Sequence, residues 1–123
     1  MVVIEVGQIY SINRSIAVLK PKQPLLDWLN ALPDAEVLFT LAELRTDCTS
    51  LLIPECDTDE KALKFIKKIY LGIFERELDA YCTNPDLWPP KRDYKIFLKW
   101  FDIDLHSQVF DTVDKEIIKE RWE

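Results

Sequence analysis

Asp57-Thr-Asp-Glu-Lys-Ala-Leu-Lys-Phe-Ile-Lys-Lys-Ile-Tyr-Leu-Gly-Ile-Phe-Glu-Arg-Glu-Leu-Asp-Ala-Tyr81 is the longest stretch with a sustained helical period. Ala62, Leu63, Ile66, Ile69, Tyr70, Ile73 and Phe74 recur at spacings of three and four, one broad face of a helix. Lys61, Lys64, Lys68, Glu75 and Asp79 fall opposite. Asp57, with Glu60 three residues on, has the form of a capping box. Thr83-Asn84-Pro85 marks the stop, because the residue before a proline avoids helical backbone angles. The expected helix covers about residues 57–82. Its charges run against the helix dipole, with Lys61, Lys64, Lys67 and Lys68 early and Glu75, Glu77 and Asp79 late. Packing must therefore hold it.

Glu77 continues the apolar face one turn beyond Ile73. The favoured reading is that the helix has left the core by then and Glu77 is wet, since an unpaired buried carboxylate is costly. The alternative is a partly buried carboxylate serving as an acid or base.

A chain of 123 residues, 48% hydrophobic and 31% charged, has the composition of one ordinary globular domain. With only 2 glycines, glycine-rich phosphate loops are nearly excluded. The formal charge of −6 disfavours nonspecific binding to nucleic acid or an anionic membrane. Acidic residues outnumber basic ones ten to five over residues 1–62 but only twelve to eleven beyond, so any anion-binding surface is local. Cys48, Cys56 and Cys82 form an odd set without a CxxC pair, which argues against a disulfide framework or zinc knuckle. The opening residues lack the basic region of a signal peptide, and no run is long enough to span a bilayer. The expected location is the cytoplasm.

Around the helix, residues 2–6 and 8–12 are β-branched and extended in character. Asn13-Arg14 can turn the chain into a strand over residues 15–19, ended by Pro21. A helix is expected over 24–32, with Leu25, Leu26, Trp28, Leu29 and Leu32 inward and Pro24 in its first turn. Residues 39–44 read as a short helical turn capped by Thr40, and 48–54 as an apolar strand. After the stiff Asn84–Pro90 loop, Arg92 or Asp93 starts a helix whose Tyr94, Phe97, Leu98 and Phe101 share a face. Residues 102–110 alternate as a half-buried strand, and 113–122 are expected to form a short helix. The layered solution is an α+β domain spanning residues 1–123. It has a small three- to four-stranded sheet, with helices packed mainly on one face around the long helix.

Asn13-Arg14-Ser15, Pro21-Lys22-Gln23-Pro24-Leu25-Leu26-Asp27-Trp28, Trp100-Phe101-Asp102 and His106-Ser107 resemble a small group of uncharacterised prokaryotic proteins, over about residues 13–112. The resemblance implies a similar compact domain and no activity.

Four features carry candidate chemistry. Asp102, Asp104 and His106 alternate onto one strand face, neighbours roughly 6.5–7 Å apart. They are candidate metal ligands or holders of a hydrolytic water, against the plainer reading of a wet sheet face. Cys48 is a weak candidate nucleophile with His106, the only histidine, as its base. Lys91, Arg92, Lys95 and Lys99 interleave with aromatics as in single-strand binders, but the helical period separates the two kinds. Trp88, on a proline-stiffened loop, is a candidate docking anchor, and Leu71 a second, against the reading that Trp88 folds back over the core.

The leading expectation is a non-enzymatic domain acting through protein contacts, by binding a partner or by self-association, with no cofactor. The runner-up is a small hydrolase or metal-dependent enzyme using Asp104, His106 and Glu77. Nucleic-acid binding through residues 91–99 ranks third.

Overall fold

The computed structural model describes residues 7–122. In chain order the elements are β1 (Tyr10–Ser11), β2 (Arg14–Pro21), α1 (Gln23–Asn30), α2 (Leu41–Leu44), β3 (Thr49–Pro54) and α3 (Asp59–Tyr81). A 3-10 turn (Pro85–Leu87), α4 (Tyr94–Trp100), β4 (Phe101–His106) and β5 (Phe110–Asp111) complete them. β2 is the middle strand of an antiparallel sheet of three, order β3-β2-β4, and β1 pairs with β5 in a separate two-stranded ribbon. The class is α+β, organised around one long helix as expected.

Alternation along β2 decides which face the helices cover. Ser15, Ala17, Leu19 and Pro21 are buried, whereas Arg14, Ile16, Val18 and Lys20 are only half-buried. The register sets Leu51 and Leu105 beside Ala17, and Ile103 beside Leu19, on the covered face. Leu25, Leu26 and Leu29 of α1, Ala62, Ile66, Phe74 and Leu78 of α3, and Phe97 of α4 close over it in one apolar cluster. Phe97 is the hub. Its ring lies 5.3 Å from Phe101, 5.6 Å from Phe74 and 5.8 Å from Tyr70, within the range where aromatic pairs attract. The other face of the sheet carries Ile16, Val18, Leu52, Lys20, Asp102, Asp104 and His106.

Several boundaries differ from expectation for local reasons. The cap of α3 is Thr58, whose hydroxyl accepts the Lys61 N–H, while Asp57 pairs with the Lys61 side chain at 3.0 Å. A threonine one residue nearer the helix has the shorter reach to the orphan amides. Thr40 caps α2 with a full capping box through Glu43. Leu63 and Ile69 of α3 and Leu98 of α4 are exposed, and half-buried Phe65 takes part in the core instead. The strand expected over 102–110 breaks after His106, because its partner β2 runs out: His106 faces Ile16, two residues from the strand start. Residues 113–122 form no helix. Val113, Ile117, Ile118 and Trp122 are exposed, and so short a helix without tertiary packing is marginal in water. The strand expected over 2–6 lies outside the described residues.

Candidate functional site

The sheet's open face brings Asp102, Asp104 and His106 together as the alternation implies, opposite Lys20, Val18 and Ile16. Both carboxylates are engaged by cations. Asp104 sits 2.6 Å from Lys20; Asp102 lies 2.9 Å from Arg45 and 3.7 Å from Lys22. The hydrogen bond from Lys20 holds the Asp104 carboxyl below its usual range, with the lysine charge adding to it. The same hydrogen bond and the carboxylate charge raise Lys20. Arg45 is fixed for this by a second hydrogen bond, from its Nε to the Pro21 carbonyl at 2.9 Å. Among the described residues no three His, Cys, Asp or Glu side chains are grouped to hold a metal ion.

Other candidates stand apart. Glu77 is buried, only 7% exposed, because α3 keeps contact with the core through Leu78; the expectation that it is wet is overturned. Its carboxylate lies 3.4 Å from the Arg76 guanidinium. It belongs to the helix layer, whereas Asp104 and His106 project from the opposite face of the sheet. Burial, then the Glu77 charge, pushes the neighbouring Tyr81 phenol above its ordinary value. Cys48 donates to the Arg45 carbonyl and precedes Thr49, the partner of Leu19, while His106 faces Ile16. That separates thiol and imidazole by roughly four residues along the strands, about 13 Å, and by two strand spacings across the sheet. His106 instead borders a cleft of about 250 Å³ with Cys56, Ser15 and Asp59. There the Cys56 thiol donates to the Pro54 carbonyl, and the Ser15 hydroxyl accepts the Cys56 N–H.

On and beside α4, Lys91, Lys95 and Lys99 are exposed while Tyr94, Phe97 and Trp100, with Phe101 at the start of β4, pack inward. The rings of Tyr94 and Trp100 are half-buried against the core, and those of Phe97 and Phe101 are fully buried in it. Trp88 packs against the core, its indole N–H donating to the Cys82 carbonyl at 2.7 Å and the Arg92 guanidinium lying over its ring. Leu71 is exposed on α3.

A wider concavity lies elsewhere. A groove of about 570 Å³ opens between the loop after α1 and the end of α3, lined by Leu32, Val37, Phe39, Tyr81, Cys82 and Leu87 among others. Its walls are tied down. The Asn30 side chain donates to the Phe39 carbonyl and accepts the Phe39 N–H, each at 3.0 Å. This two-way clamp pins the far end of the loop to the end of α1, and the capping box at Thr40 follows at once. Trp28 donates to the Leu87 carbonyl at 2.9 Å and holds the opposite wall. Val37 and Leu38 are each 68% exposed and Phe39 41%. The sequence carried a signal for this site: three consecutive apolar residues between Asp34-Ala35-Glu36 and the Thr40 cap fit neither a strand nor a helix period. The chain matches no known protein family, curated protein or solved structure.

Proposed function

We propose that this chain is a protein-interaction domain of the cytoplasm, receiving an apolar anchor of a partner in the groove between the Val37 loop and the end of α3. The observation that carries this reading is the exposure of Val37, Leu38 and Phe39 in sequence, on a loop already held in place by Asn30. Burying such side chains at a contact is favourable in proportion to area, and a pre-formed loop loses little freedom on docking. A volume of about 570 Å³ is that of a site able to seat one or two large side chains. Asp34 and Glu36 on the same loop favour an anchor flanked by lysine or arginine. Three free, half-buried thiols fit a reducing compartment.

The test is selection from a displayed peptide library against the wild type and against Val37→Asp/Leu38→Asp. Selected peptides are expected to carry apolar residues flanked by basic ones and to bind the double variant at least tenfold more weakly. Both changes fall on exposed positions, so thermal melting should stay close to wild type. Peptides that bind both proteins equally, or no selection at all, refute the proposal.

A further inference from the structure

We infer that a second copy of this chain pairs antiparallel along the free edge of β3, joining two sheets of three strands into one of six. This contact uses a different surface from the groove and does not rest on the groove reading. β3 has β2 on one side and, among the described residues, no strand on the other. Exposed edges are templates for pairing, and proteins ordinarily blunt them with charge. The two edges of this sheet differ in that respect. β4 carries Asp102, Asp104 and His106, whereas β3, Thr49-Ser-Leu-Leu-Ile-Pro54, carries no charged residue. In a chain of net charge −6 most surfaces repel a copy of themselves, and a neutral strand does not.

The occupant follows from symmetry. A two-fold contact places one patch against itself, which an antiparallel neutral strand satisfies. Residues directly opposite in an antiparallel pair share a face. With Leu51 on the axis, Ser50 lies opposite the partner's Leu52 and Thr49 opposite the partner's Ile53, and both helix layers stay on one side. Leu52, 47% exposed beside Ile16, then joins a continuous apolar strip across the open face. Pro54, which lacks an N–H, falls at the strand end, where its absence matters least.

A second observation concerns α3, which packs over β3. Tyr70 and Phe74 face α4 on one flank of this helix. The helical period puts Phe65, Ile69 and Gly72 on the opposite flank. Ile69 is exposed, and a Cβ built on Gly72 meets nothing within 4 Å. Glycine inside a helix is destabilising relative to alanine, and nothing among the described residues requires the missing side chain. A partner α3 approaching along that flank does require it. Beyond the strand ends, Asp47 comes opposite the partner's Glu55, so added salt, which screens such pairs, should tighten the dimer.

Sedimentation equilibrium of the full chain over a range of concentrations and salt tests this, using wild type, Leu52→Lys and Gly72→Leu. The expected result is a reversible dimer strengthened by salt and weakened at least tenfold by either change. Circular dichroism melts should show both variants folded, since both positions are exposed. A wild type monomeric up to about 1 mM overturns the inference. So does a dimer that Leu52→Lys leaves intact; if Val37→Asp dissolves that dimer instead, self-association belongs to the groove.

Discussion

Replacing Phe97 with alanine tests the packing at its centre. The side chain is fully buried, and four aromatic rings, those of Tyr70, Phe74, Tyr94 and Phe101, lie within 6.3 Å of its own. Removing a buried phenylalanine costs about 3–5 kcal/mol, more where the surroundings cannot collapse into the space. Rigid rings contributed by α3, α4 and β4 leave little room for collapse, so about 4 kcal/mol is expected. That is a large part of the roughly 5–15 kcal/mol that keeps a domain folded. With a urea slope of about 2 kcal/mol/M, the unfolding midpoint should fall by about 2 M. The neighbouring Leu98→Ala is the control. Leu98 is 38% exposed, and its truncation should cost less than about 1 kcal/mol. Equal losses in the two variants, or a loss below about 1 kcal/mol for Phe97→Ala, would refute the assignment of Phe97 as hub and Leu98 as surface.

Thr58→Ala should destabilise the protein by about 1 kcal/mol in the same assay, through loss of the α3 cap. Asp57→Ala should leave the midpoint nearly unchanged, and the reverse order would return the cap to Asp57. The Lys20–Asp104 pair gives a pH signature. Asp104 is held below its ordinary 3.8, so its contribution is present above that value and fades as pH falls through the lowered one. Lys20 is raised above 10.5, so its contribution is present below 10.5 and fades as pH rises through the raised value. The melting difference between wild type and Lys20→Met should thus be widest between about pH 5 and pH 10 and shrink in salt. A difference that is constant from strong acid to strong base would show the pair to be idle.

Much of this architecture was legible because its signals are local. The period of α3, the Thr40 cap, the bounding of β3 by Asp47 and Pro54 and the alternation of Asp102, Asp104 and His106 depend on residues a few positions apart. What was illegible depends on the rest of the molecule. Glu77 is buried because the far end of α3 still lies on the core, a fact of length and tilt that no spacing encodes. His106 and Cys48 lie at opposite ends of the sheet because of the β2 register, which the sequence does not print. Trp88 folds over the core, one of the two readings its loop allowed, but the carbonyl six residues back that takes its indole N–H was not legible. The tail over 113–122 has the spacing of a helix, yet its apolar residues Val113, Ile117, Ile118 and Trp122 stay exposed. The groove combines both kinds of information: the Val37-Leu38-Phe39 triplet was visible, but the Asn30 clamp that displays it joins residues nine apart.

The two indole bonds across the groove give the protein a built-in optical reporter. Trp28 donates to the carbonyl of Leu87 and Trp88 to that of Cys82, and both carbonyls belong to residues of the groove wall. A ligand seated there is expected to perturb these bonds and so to shift the emission of two half-buried tryptophans. Trp122, about half exposed, answers to iodide in the solvent instead. With Trp100→Phe removing the fourth indole, which lies 6.1 Å from Trp28, unlabelled protein should report the groove by an emission shift and the tail by quenching of Trp122.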